Sequence, residues 1–202
     1  MKHIIAIQHT QSVHHTNGMV GSWTDWDLTE LGKKQADGIG KKLKEELSGK
    51  DVIMYSSDLK RAKQTADVIA KHLGITPVLR RELRERNLGK CCGRSVQWLR
   101  ENAEHKEITV DDRLFSDGES KRDAWERLLP FFNEITESKD ENIVIVSHGG
   151  LLSIFFAMFL GMPVGSLSSA EIHGPAGGVS HLIVFDDGMR RIRRIGDTSY
   201  IS

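Results

Sequence analysis

Two short apolar runs each end in a histidine, and this pairing most constrains what the chain can become. The first is Ile4-Ile5-Ala6-Ile7, followed by Gln8-His9-Thr10. The second is Ile143-Val144-Ile145-Val146, followed by Ser147-His148-Gly149-Gly150. Runs that do not alternate with polar residues read as parallel strands covered on both faces. Such sheets bind ligands outside the carboxyl ends of their strands. Two imidazoles that titrate near neutrality would then converge on one cleft, which points to acid–base, nucleophilic or metal chemistry.

The surrounding pattern supports such a sheet. Strand one covers residues 3 to 8, followed by a loop rich in Gly, Ser, Thr and Asn through Asp27. Thr29 caps a helix to about Leu47 whose apolar positions recur at helical spacing. A strand over 51–55 leads through Ser56-Ser57-Asp58-Leu59, read as a cap, into a helix over 59–73 ending at Gly74. Beyond the short strand Val78-Leu79, residues 84–118 are irregular apart from one helix near 95–104 and form the natural lid. Ser120 or Asp117 caps a helix to Thr136. A strand over 142–146, an apolar helix over 150–160, and two strands (179–186 and 190–195) joined by Asp186-Asp187-Gly188 complete the order. This is a three-layer α/β/α sandwich with a mostly parallel sheet, expected as one domain over residues 1–202.

Charge is balanced, with 28 Lys+Arg against 28 Asp+Glu, so neither a nucleic-acid groove nor a membrane surface is expected as partner. The cysteines are two and adjacent, Cys91-Cys92, which excludes a disulfide framework and suggests a reduced, cytoplasmic setting. No signal peptide or membrane-length apolar stretch is read in the chain. Gln97 and Trp98 stand six residues beyond the cysteines, so no Cys-x₅-Arg phosphatase loop is present. The dinucleotide and P-loop glycine patterns are also missing.

Arg61 lies near the start of a helix that follows a strand, where backbone N–H groups favour an anion and a guanidinium adds a planar fork. His9, His148 and Arg61 at one sheet edge suggest a phosphate pocket, with Glu85 as a carboxyl at its rim. A metal site built from His9, His14, His15 and His148 is the weaker reading, because no cysteine or paired carboxylate joins them.

The motifs carry a resemblance. The chain is similar to the histidine phosphatases, the superfamily that includes cofactor-dependent phosphoglycerate mutases and acid phosphatases. Residues Tyr55 to Thr65, Leu83 to Gly89, Ser116-Asp117-Gly118-Glu119-Ser120 and Val146 to Gly150 follow its motifs in order. The resemblance implies a phosphoglycerate mutase-like fold and roles at four positions. His9 would be the nucleophile, Arg61 and His148 would hold the phosphoryl oxygens, and Glu85 would carry the proton. Gln8, Thr10, His15, Trp23 and Gly149 would bind substrate, and no metal or other cofactor would be required. The expected partner is a small phosphorylated substrate, and the final hairpin offers an edge for a homodimer.

The departures cluster at the first motif. The family opens with Arg-His-Gly-Glu, where this chain reads Gln8-His9-Thr10-Gln11. Gln8 donates a hydrogen bond but supplies no charge. His15 stands where the family has an asparagine. Protonated, it would restore a charge and shift activity to mildly acidic pH. A slow or acid-shifted phosphatase is expected, with a pseudoenzyme that binds a phosphorylated ligand as the alternative. A mutase fits less well, because Lys90 to Arg113 does not resemble the mutase lid.

Overall fold

The computed structural model describes residues 1–201. Six strands form one sheet in the order β3-β2-β4-β1-β5-β6. They are β1 (Lys2–Gln8), β2 (Ile53–Ser57), β3 (Val78–Arg80), β4 (Asn142–Ser147), β5 (Val179–Val184) and β6 (Arg190–Asp197). The first four run parallel, whereas β5 lies antiparallel to β1 and to β6. Six helices accompany them: α1 (His14–Asn17), α2 (Glu30–Glu46), α3 (Lys60–Leu73), α4 (Val96–Asn102), α5 (Lys121–Glu137) and α6 (Gly149–Phe159).

The unbroken apolar strands reflect helices on both faces. Side chains alternate along a strand, so Ile4 and Ala6 join Ile143 and Ile145 against α5 and α6. Ile5 and Ile7 face the other way, with Val144 and Val146, against α2 and α3. Each of these strand side chains is at most 4 % exposed, so no position in either run tolerates a polar group without a partner. No helix among the described residues is long and apolar enough to cross a membrane.

Register then sets the site. Gln8 of β1 pairs with Ser147 of β4, and the His9 N–H donates to the Ser147 carbonyl at 2.9 Å. Both histidines therefore leave adjacent parallel strands at the same level, at the carboxyl edge.

Several local features differ from the sequence reading. The loop after β1 contains one helical turn, α1, which carries His14 and His15 and ends at Gly18 with φ +70°. Strand β2 runs on through Ser56 and Ser57. The Ser-Ser-Asp segment does not cap α3 in the expected way. Leu59 occupies the cap position without a side-chain bond. Asp25, from the first loop, accepts from the Lys60 N–H, and Asp58 is engaged by Arg84 instead. Ser120, not Asp117, caps α5, in a reciprocal capping box with Asp123. The lid has its own small core, in which Val20, Cys91 and Phe115 pack with Trp98 and Leu99. Burial there pushes the Cys91 thiol up to about 11, so it is a packing group and not a thiolate.

Candidate active site

His9 and His148 meet edge to face, with ring centroids 5.1 Å apart. Both are almost fully buried. The Nδ1 of His9 is 2.8 Å from the Thr10 carbonyl. A carbonyl only accepts, so Nδ1 holds the proton and Nε2 presents its lone pair. Arg61 Nε–H donates to that Nε2 at 3.1 Å. Ser57 Oγ accepts from the Leu59 N–H at 3.3 Å and lies 2.8 Å from His148 Nε2. The Nδ1 of His148 is buried and has no hydrogen-bond partner. A buried polar nitrogen without a protein partner is rare and calls for an explanation.

Arg61 is 1 % exposed, in the first turn of α3. Its Nη1 and Nη2 donate to the carbonyls of Thr24 and Ser22 at 2.8 and 2.9 Å. Burial lowers it to about 10, with Glu85 and Asp25 opposing, so it stays charged at neutral pH. Ser22 adopts φ +46°, a left-handed conformation unfavourable for serine. Its hydroxyl donates to the Arg86 carbonyl and accepts from the Leu88 N–H, which ties the Arg61 cradle to the lid.

Glu85 reaches the amino end of α6. Its carboxylate accepts from the N–H groups of Arg86, Gly150 and Leu151 at 2.9 to 3.1 Å. The glycine pair permits this approach. A Cβ on Gly150 would lie 2.7 Å from Glu85 Oε1, and one on Gly149 would lie 3.0 Å from the Gln8 amide oxygen. Gln8, His9, His15, Arg61, Glu85 and Gly149 all line one cavity of about 340 Å³. Its outer wall mixes Leu88 and Ile154 with Lys121, Glu171 and His173.

Two residues expected to bind substrate do not line the cavity. Thr10 is fully buried and does not line the cavity, since its N–H and hydroxyl pair with the Thr65 hydroxyl at 3.2 Å. Trp23 also stands outside it. Its indole N–H donates to the Glu85 carbonyl, and Arg84, Arg81 and Arg127 gather over its ring. Trp98 stacks on Phe115 within the lid. His148 is fully buried and does not line the cavity itself, but its ring adjoins that of His9, which does.

At His15, burial, then Arg61, lowers the basicity below the ordinary imidazole value, which works against the charged form. Its Nδ1 accepts from the Ser12 N–H at 3.2 Å, which leaves the proton on Nε2. It is a neutral donor stacked parallel to His9, with centroids 5.3 Å apart.

Arg127 had no signal in the sequence, where it reads as an ordinary helix charge. Its guanidinium bonds both oxygens of Glu119 and the carbonyls of Glu82, Arg84 and Glu85. It thereby fixes the backbone that presents Glu85.

The clustered imidazoles also set a pH dependence of stability. Burial holds His9 and His148 well below 6.5 and His14 down at about 3. The unfolded chain therefore binds more protons than the folded one below about pH 6.5. Stability is complete above that value and declines as pH falls toward the folded-state values. Melting curves from about pH 7.5 down to 5 are expected to show a falling Tm. A constant or rising Tm would contradict buried neutral rings.

Comparison with known proteins agrees with this geometry. The model for "Histidine phosphatase superfamily (branch 1)" matches residues 4–198. A metal-independent phosphoserine phosphatase of Arabidopsis thaliana is 33% identical over 183 residues, covering 84% of this chain and 74% of that protein. A 2,3-bisphosphoglycerate-dependent phosphoglycerate mutase of Bartonella tribocorum is 28% identical over 179 residues, covering 84% and 86%. Among solved structures, Bacillus stearothermophilus YhfR superposes over 100% of both chains, with TM-score 0.85 and 25% identity. The sandwich is thus the phosphoglycerate mutase-like fold, and the chain belongs to branch 1 of the histidine phosphatase superfamily as a phosphatase-type enzyme.

Proposed function

We propose that the protein hydrolyses small phosphomonoesters through a phosphohistidine on His9, without a metal, and slowly because Gln8 replaces an arginine. The observation that carries this reading is the cluster of the His9 Nε2 lone pair, the Arg61 guanidinium that donates to it and the unpartnered Nδ1 of the adjoining His148 ring. In the first half-reaction the His9 Nε2–P bond forms and the ester P–O bond breaks. Glu85 gives its proton to the leaving alkoxide. In the second, water loses a proton to Glu85, its oxygen bonds phosphorus, and the N–P bond breaks. Glu85 Oε2 has a single N–H partner, whereas Oε1 has two, so Oε2 is the oxygen free to exchange the proton.

Arg61, His148 and the neutral His15 donor hold the oxygens that gain charge in transfer. The cavity suits a single phosphoryl group with a small organic body, because its outer wall is part apolar and carries both charge signs. Burial and Arg61 act against the acid-shifted optimum expected from His15, because both oppose its charged form. The test is phosphate release from a panel of monoesters with EDTA present, wild type beside His9→Ala. Release that survives the chelator and disappears in the variant supports the proposal. A wild type that binds phosphate without turnover would favour the pseudoenzyme reading, which the uncharged Gln8 motivates.

Arg127 acts here as a positioning residue. Arg127→Lys loses the fork that fixes the Glu85 backbone but leaves Arg61 and His148 in place. A carboxyl displaced by about 1 Å costs up to about 10²-fold in rate. We expect kcat to fall by about tenfold or more with KM nearly unchanged. A rise in KM at constant kcat would assign Arg127 to substrate binding instead.

A further inference from the structure

We propose that His9, His14 and His15 form a binding site for a borderline divalent ion such as Zn²⁺, and that the ion inhibits the enzyme by occupying the nucleophile. One ligand atom from each ring lies within 4.8 Å of the other two. Tetrahedral zinc with Zn–N bonds of about 2.0–2.1 Å needs ligand atoms about 3.4 Å apart, so modest ring rotations close the set. His14 and His15 share the single turn of α1, and their ring centroids lie 4.0 Å apart.

The phosphoryl mechanism leaves His14 without a task, yet the surroundings prepare it as a ligand. Its Nδ1 is 2.6 Å from Ser12 Oγ, which leaves Nε2 on the far side of the ring. The Thr10 carbonyl fixes His9 in the same sense, with Nε2 unprotonated. Such partners on the remote nitrogen orient ligating histidines in metal sites. His15 joins by giving up its long 3.2 Å bond from the Ser12 N–H. Arg61 is the main opposition, because a metal on His9 Nε2 displaces its Nε–H. Gln8 reduces that opposition. Where relatives of this family place a second guanidinium, this chain places a neutral amide, so a cation meets one fixed positive charge and not two. Glu85, a carboxylate in the same cavity, offsets part of the remainder.

The test uses Zn²⁺ and Co²⁺ on the intact protein. Calorimetry is expected to find one Zn²⁺ per chain, and Co²⁺ to give a visible absorption band of histidine ligation. Both readouts are independent of turnover, so they stand even if the phosphatase proposal fails. The inhibition itself rests on that proposal: Zn²⁺ is expected to suppress phosphate release, and EDTA to restore it. His14→Phe keeps a ring against Gly21 but removes the ligand, and His14→Ala guards against a misfit of that ring. Both are expected to retain release in EDTA and to weaken Zn²⁺ binding and inhibition by about tenfold or more. No binding by the wild type would overturn the site. So would undiminished binding or inhibition in both His14 variants, since the ion would then sit elsewhere.

Discussion

His9→Ala is expected to lower phosphate release by about 10⁴-fold or more, the largest effect of any single change in this protein. Removing a nucleophile eliminates the covalent route altogether, and what survives reflects only the binding and electrostatic help left in the pocket. The geometry makes His9 hard to replace. Its Nδ1 proton is committed to the Thr10 carbonyl, and only its Nε2 lone pair is aligned with Arg61. His15, stacked parallel on it, carries its lone pair on Nδ1, where the Ser12 N–H covers it. His148 has its Nε2 engaged by Ser57 Oγ and its Nδ1 fully buried. Neither neighbour therefore substitutes as nucleophile. Acid quenching should release phosphate from the wild-type intermediate, whereas an alkaline quench should preserve it on the chain. A labelled phosphohistidine trapped from wild type and missing in His9→Ala would complete the case. A variant that keeps turnover within tenfold of wild type would rule out the covalent route. A loss of folding is a separate matter that melting curves decide, because His9 packs in the site and contributes no apolar core contact of the kind made by Ile7.

The parts of this site that were legible in the sequence are those tied to strand ends. The runs before His9 and His148 lack polar alternation because both sheet faces are covered, and that same feature places the two rings at one edge. Arg61 was readable because a helix start after a strand faces that edge. The supporting groups left no such mark. Asp25 caps α3 from a loop far away in the chain, and Asp58, the local candidate, turns to Arg84. Trp23 looked like a wall of the cleft, but its indole N–H needs a buried partner and finds the Glu85 carbonyl. Thr10 is a polar residue beside the nucleophile, yet it is fully buried and its N–H and hydroxyl both pair with the Thr65 hydroxyl of α3. Arg127 and Ser22 act through carbonyl groups, which any residue type supplies, so no pattern of side chains announces them. His15 illustrates the remaining gap. Its place in the loop is readable, but its charge depends on burial and on Arg61, which only the folded arrangement brings near.

Gln8→Arg is expected to raise kcat, by up to about 10²-fold. One preorganised donor at a site of developing charge is worth about 10²–10³ in kcat, and the glutamine amide supplies a neutral fraction of that. The present pocket has limited donor capacity. Arg61 spends one N–H on His9 and two on the carbonyls of Ser22 and Thr24, which leaves it two of its five for the phosphoryl group. His148 adds one, and the neutral His15 one more. A second guanidinium would add a bidentate fork and a full positive charge in a dry cleft. Space is the counterweight. The Gln8 amide lies over the bare Cα of Gly149, and the longer arginine must pass the same point to reach the cavity. Gly149 gives that room, and Gly149→Ala in the same background should cancel the gain. The change should act on kcat more than on KM, because the added charge meets a phosphoryl group whose oxygens gain most in transfer. The same substitution should weaken Zn²⁺ on the histidine cluster, since it restores the repulsion that Gln8 removes. A gain in turnover with a loss in metal affinity would tie both properties to one residue. An unchanged or lowered kcat in a well-folded Gln8→Arg protein would mean that the missing charge does not limit the rate, and that Arg61, His148 and His15 already hold the transferred group adequately.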